Sequence, residues 1–213
     1  LHKSVYCSLY SYPRFTWQTV VPDQRRKSRH DINDDFGKAV EIFLSLSDKC
    51  KDSPLYFNDA IEFASLWLGE LADRHYEKAL KLGKTDKGRE ELRKTVALLT
   101  DVDRLLASHP LHRLDRWIAD ARNEGSSIEK DHREANAKRL ITTWGGWQED
   151  YAARFWSGLI KDYYIPRLEI HFSEKADMME KWKEEWINTP YHSNTKPFDS
   201  PLEVAKELIA NEK

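Results

Sequence analysis

Apolar residues recur at intervals of three and four along most of this chain, and no stretch sustains the period-two alternation of a half-buried strand. That pattern restricts the fold to helices packed on helices. The run "DFGKAVEIFLSLS" (35–47) places Phe36, Val40, Phe43 and Leu44 at helical spacing. Ser53 is a capping residue and Pro54 suits a first helical position, so a second helix is expected to run to about Leu82. Its buried face should carry Phe57, Ile61, Ala64, Leu68 and Leu71. "GKTDKG" (83–88) reads as a turn, after which Leu92, Val96, Leu99 and Leu106 mark another apolar stripe. "LHRLDRWIADAR" (111–122) reads as a shorter helix before Gly125, and Ser126 with Glu129 forms a capping box that opens the next. Ser200, Pro201 and Glu203 repeat such a start signal near the end, whereas Pro13 and Pro22 interrupt residues 1–30. The expected architecture is all-α: an irregular lead-in over 1–34, then a multi-helix bundle over 35–213 with mostly antiparallel neighbours.

Composition narrows the function classes. A chain of 213 residues, 40% hydrophobic and 33% charged, is long enough to bury a real core. A net charge of −2 provides no global field to recruit nucleic acid or an anionic membrane, so neither is an expected partner. No apolar run approaches the roughly 18 residues of a membrane-spanning helix. Cys7 and Cys50 allow at most one internal disulfide and identify no redox compartment. Eight Trp, nine Tyr and eight Phe are core filler first, but indoles also suit sugar-binding clefts.

Most motifs that carry chemistry fail on inspection. Glu129 and His132 have the i, i+3 spacing of a di-iron bundle, but no second Glu-x-x-His exists, so a solvated face is the better reading. "DINDDFG" (31–37) lacks the calcium loop's glycine, because Phe36 stands there, and Ile42 occupies the bidentate position. The basic run "RRKSRH" (25–30) is answered at once by Asp31, Asp34 and Asp35. His109 and His112 bracket Pro110, which spoils helical ligand geometry. Gly-rich phosphate loops, nucleophile elbows and metal-spaced Cys/His sets are absent from the sequence, so no cofactor and no metal are expected.

One stretch resists a bland reading. "ITTWGGWQEDYA" (141–152) sets two of the chain's eight glycines between two tryptophans. On a helix ending at Trp144, residues Asn136, Leu140, Thr143 and Trp144 share a face. Gly145 suits a left-handed helix terminus and Gly146 a tight turn into the next helix. That helix is expected to begin near Trp147 and to carry two apolar rows: Tyr151, Phe155, Leu159 and Tyr163, and Ala152, Trp156, Ile160 and Tyr164. Asp150 should pair with Arg154, the small residues Ala153, Ser157 and Gly158 should admit a close neighbour, and Pro166 should kink or end the helix. Spacing alone favours both tryptophans as core residues around an interhelical corner.

The run "NAKRLITTWG" (136–145), followed by "DYAARFWSGLIKDYYIPR" (150–167), resembles the C-terminal helical region of the α-N-acetylglucosaminidases over about thirty residues. "SVYC" (4–7) resembles the stretch that follows that family's catalytic barrel. Lys138 departs from the usual arginine, Leu168 from a frequent tryptophan, and the link between Trp-Gly and Asp-Tyr is short. The resemblance implies a retaining exo-glycosidase that removes terminal α-linked N-acetylglucosamine, with both catalytic glutamates on an upstream barrel and none here. The expected partners are that barrel and the glycan. Trp144 is the implied wall of the sugar pocket, because an indole covers the apolar face of a pyranose. Asn136, Gly145, Asp150, Tyr151, Tyr163 and Arg167 are its implied supports. A barrel-facing surface left uncovered should promote self-association. The competing class is a non-enzymatic interaction module with an aromatic-lined groove.

Leu1 is not methionine and nothing like a signal peptide follows it, so the sequence is expected to begin inside something larger or to have been trimmed. With no Asn-x-Ser/Thr acceptor in the sequence, a secreted or periplasmic bacterial parent is preferred over a lysosomal one.

Overall fold

The computed structural model describes residues 30–143, 154–173 and 176–213. Nine α-helices are described: α1 His30–Leu44, α2 Ser47–Cys50, α3 Pro54–Leu82, α4 Asp86–Leu106, α5 Leu114–Ala121, α6 Ser127–Ile141, α7 Ile165–Phe172, α8 Ala176–Asn188 and α9 Pro201–Asn211. A 3₁₀ turn at Pro110–His112 precedes α5, and a π turn at Ile160–Tyr164 runs into α7. Among the described residues there is no strand, only an isolated bridge between Arg113 and Ser157. The all-α expectation holds.

The 29-residue α3 and the 21-residue α4 form the spine, and local chemistry sets their ends. Ser53 Oγ accepts the Tyr56 N–H at 3.2 Å, with Pro54 in the first turn where its missing donor costs nothing. Gly83 closes α3 at φ +62°, and Thr85 Oγ1 accepts the Gly88 N–H at 3.1 Å to open α4. Ile61, Ala64, Leu68 and Tyr76 from α3 meet Leu98, Leu99, Val102, Leu105 and Leu106 from α4 in the core. Phe43 of α1 stacks on Tyr56 with ring centroids 4.8 Å apart and meets Phe63 edge-on at 5.6 Å. From α9, Ala205 and Ile209 are buried in the same core.

Two expectations shift at the edges. α1 starts at His30, so the 34/35 boundary falls inside a helix, and it ends at Leu44 instead of Ser47. Residues 1–29, with Cys7, lie outside the described residues, and Cys50 is a half-buried free thiol.

The larger correction concerns the helix expected from Trp147 to Pro166. Residues 154–156 are not helical, Ser157 bridges to the start of α5, and Gly158 takes φ +87°. Helical backbone begins only at Leu159. Both apolar rows still reach the core, since Leu159, Ile160, Tyr163 and Tyr164 are all fully buried. Gly158 is small because it turns: a Cβ there would sit 2.0 Å from Tyr191 Oη. Pro166 does not end a helix. It lies in the first turn of α7, after a widened turn in which the Ile165 N–H bonds to the Ile160 carbonyl. A residue without an N–H is tolerated at that position.

Candidate functional site

α6 is where the implied site begins, and its burial pattern is unusual. The capping box forms as expected: Ser126 N–H donates to Glu129 Oε2 at 2.7 Å, and Glu129 N–H to Ser126 Oγ at 3.4 Å. Glu129 is thereby engaged at the helix start. The buried face is Glu134, Ala135, Ala137, Lys138, Ile141 and Thr142, whereas Asn136 and Leu140 face outward and Thr143 is half-buried. Asn136 and Leu140 therefore lie on the open side of the helix.

A buried ion pair fixes the opposite side. Lys138 is 1% exposed, and its Nζ lies 2.9 Å from Glu134 Oε1. It also donates to the Trp186 carbonyl at 3.3 Å and to the Thr189 carbonyl, so three acceptors meet its three protons. Glu134 in turn accepts Arg122 Nη1 at 2.6 Å and the Tyr191 N–H at 2.5 Å. Burial pushes the Glu134 carboxyl up, but hydrogen bonds from Lys138, Tyr191 and Arg122 together hold it below its ordinary value. Burial lowers Lys138 from its ordinary value, against the pull of Glu134. The pair ties α6 to the end of α8 and to the chain beyond it. Trp117 of α5 adds a bond from Nε1 to the Ala137 carbonyl at 3.0 Å.

The returning chain is held by Asp103 of α4, which has no exposed surface. Its Oδ1 accepts the N–H groups of Gly158 at 2.7 Å and Lys161 at 3.2 Å. Its Oδ2 accepts Thr195 Oγ1 at 2.7 Å and Ser157 Oγ at 3.3 Å. Burial raises this carboxyl, and the four donors oppose the rise. Beside it, burial and the Asp103 charge push Asp162 up to about 6. With every lone pair engaged, Asp103 is an anchor and not an acid or base.

The implied support residues separate. Tyr163 is fully buried, stacked on Trp182 at 5.4 Å and tilted against Trp186 at 4.6 Å. Arg167 is 3% exposed with its guanidinium 5.1 Å from the Tyr163 ring centre. Both belong to the core between α7 and α8, while Asn136 faces out from α6. Trp144, Gly145, Asp150 and Tyr151, together with Gly146 and Trp147, lie outside the described residues. Beside Thr143, a cleft of about 300 Å³ opens between Arg139 of α6 and Lys181, Lys183, Glu184 and Ile187 of α8, and its charges are mixed.

No grouping of His, Cys, Asp and Glu among the described residues has the makings of a metal site. The His109 and His112 rings lie tilted to each other with centroids 5.5 Å apart, and His109 Nδ1 accepts the Leu111 N–H. Burial, helped by the neighbouring His109, lowers His112 to about 4. Sequence reasoning missed Asp103 and read Lys138 only as a departure from arginine. The i, i+4 spacing of Glu134 and Lys138 was visible; their burial was not.

Residues 8–211 match the family described as the alpha-N-acetylglucosaminidase (NAGLU) C-terminal domain. The chain belongs to that family. Human alpha-N-acetylglucosaminidase is 28% identical over 150 residues, 67% of this chain and 20% of the human protein. The family 89 glycoside hydrolase from Clostridium perfringens, solved in complex with PUGNAc, superposes with a TM-score of 0.72 at 27% identity. That match covers 84% of this chain and 24% of the clostridial one. A variant of the clostridial protein, in complex with its substrate GlcNAc-alpha-1,4-galactose, matches with a TM-score of 0.71 at 28% identity. This C-terminal domain thus spans about a fifth to a quarter of the length of these relatives.

Proposed function

We propose that this domain serves a retaining exo-α-N-acetylglucosaminidase, packing against a catalytic barrel and completing the pocket for a terminal N-acetylglucosamine. The observation that carries the reading is the division of α6. One face is bolted down by the buried Lys138–Glu134 pair, and the other leaves Asn136 and Leu140 exposed. The family relation supports it, since the relatives are named for this hydrolase and one was solved with a substrate carrying α-linked N-acetylglucosamine. Retaining chemistry needs two carboxylates about 5–5.5 Å apart, and in this reading both reside on the barrel. Trp144 covers the apolar face of the sugar, and Gly145, Asp150 and Tyr151 support its corner. The reading also makes the parent a secreted or periplasmic protein. Freed from the barrel, the domain self-associates through exposed apolar residues such as Ile128, Leu140 and Met178.

Leu140→Asp in the longer, barrel-bearing polypeptide tests the docking face. A charge on an exposed position should leave the helix folded yet weaken the packing on the barrel and lower turnover of an aryl α-N-acetylglucosaminide. Full activity with an undisturbed melting profile would remove this face from the interface. The interaction-module alternative is not favoured, because the matched relatives are glycosidases.

A further inference from the structure

His75 of α3 lies between two carboxylates. Its Nδ1 is 2.7 Å from Glu91 Oε2 of α4, and its Nε2 is 2.7 Å from Glu212 Oε2 at the end of α9. A neutral imidazole has one N–H and one lone pair, so it bonds one carboxylate and repels the other; only the imidazolium donates to both. We propose that His75 is a pH-operated latch, fastening the last turn of α9 to the α3–α4 hairpin in mildly acidic solution and releasing it as the ring gives its proton to solvent.

The surrounding charges decide which contact survives deprotonation. Glu91 is 6% exposed and also accepts Lys78 Nζ at 2.8 Å and Lys94 Nζ at 3.1 Å. Hydrogen bonding from Lys78, then from His75 and Lys94, outweighs burial and holds Glu91 at about 2, so it stays ionised across the range in which histidine titrates. Glu91, buried between α3 and α4, cannot turn to solvent as Glu212 can, so the single remaining N–H stays on Nδ1. The Nε2 lone pair then points at Glu212, which is 24% exposed and free to swing into solvent. Around the latch, Arg74 is engaged with Glu70 and Asp34, Lys213 with Glu41 of α1, and Lys206 with Ser47 and Glu203. One residue on, Tyr76 meets His171 of α7, with Arg167 on the same helix. The buried Ala205 and Ile209 keep the rest of α9 docked, so release is confined to its final turn.

The test is amide hydrogen exchange of residues 208–213 in the whole chain at pH 5 and pH 8, corrected for intrinsic rates. In the wild type, protection should fall roughly tenfold between the two, the size that one hydrogen bond to a charged group supports. Glu212→Gln should abolish that dependence while keeping protection high, because the Gln amide donates to the neutral Nε2. His75→Gln should be poorly protected at both pH values, since its shorter amide does not span the two carboxylates. Protection in the wild type that is equal at pH 5 and pH 8 overturns the latch, as does Glu212→Gln retaining the wild-type fall. Glu212 is half-exposed at a helix end, so its variant folds and decides the question even if His75→Gln does not.

Discussion

Asp103 joins α4, the turn at Gly158 and the chain at Thr195 through one carboxylate with no exposed surface. A buried group of this kind is held by complete pairing, and removing it strands its donors. Asp103→Ala should therefore cost roughly 2–4 kcal/mol in urea unfolding. Asp103→Asn should cost less, because the amide oxygen still accepts the Gly158 and Lys161 N–H groups while its NH₂ donates to the two hydroxyl oxygens. Equal losses would show that charge, not geometry, makes the anchor. Asp162 next to it gives a pH dependence whose sign is fixed. Its folded pKa is raised from 3.8 to about 6, first by burial and then by Asp103. The folded state therefore holds the proton more tightly, so this group's stabilisation is full below about pH 4 and is lost as pH rises through 6. His112 runs the other way: lowered from 6.5 to about 4, its contribution is full above 6.5 and is lost as pH falls toward 4. Comparing wild type with Asp162→Asn cancels the histidine. The melting-temperature gap should move in favour of the Asn variant between pH 4 and pH 6.5, and a constant gap would remove Asp162 from the account.

At the scale of elements, the turn from 154 to 158 shows what sequence conveys and what it does not. The starts of α3 and α6 were legible because their caps are local: Ser53 before Pro54, and Ser126 three residues before Glu129. The Gly158 turn was not, since Phe155, Leu159 and Tyr163 satisfy helical spacing whether or not the backbone is helical at 155. What decides the matter is Asp103, 55 residues away, capturing the Gly158 N–H. Burial of Lys138 was hidden for the same reason, because Glu134 and Lys138 at i, i+4 read as a surface pair until the end of α8 supplies their carbonyl partners. Of the implied support residues, Asn136 is exposed on α6 whereas Tyr163 and Arg167 are buried in the core, a separation that spacing alone does not convey. The turn itself is testable. Gly158→Ala meets both the positive φ and the Tyr191 hydroxyl, so a loss of more than about 2 kcal/mol is expected. Adding Tyr191→Phe should return the steric part alone. No recovery in the double variant would assign the whole cost to the backbone.

At the scale of the whole molecule, three of the buried carboxylates among the described residues are held by structural partners. Asp103 is saturated by donors, and Glu91 and Glu134 are saturated by cations. The chain by itself should accordingly fold without hydrolysing an aryl α-N-acetylglucosaminide. On the function proposed above, the contribution of the domain is best measured at Trp144 in a barrel-bearing polypeptide. If the indole covers the sugar, Trp144→Ala removes stacking worth about 0.5–1.5 kcal/mol, and more if the wall also orients the ring for attack. Trp144→Phe should recover part of the loss, because a smaller ring still offers a face. The thermal cost should be modest, as for a residue at a cleft edge. Trp147→Ala is the matched control: if Trp147 packs in the core, the change should cost a few kcal/mol of stability, in the range of a buried aromatic truncation, with little change in the activity of the folded fraction. The two variants separate wall from core by which quantity moves. A Trp144→Ala protein that melts early but keeps the specific activity of its folded fraction would make Trp144 a packing residue and leave the pocket wall to the barrel.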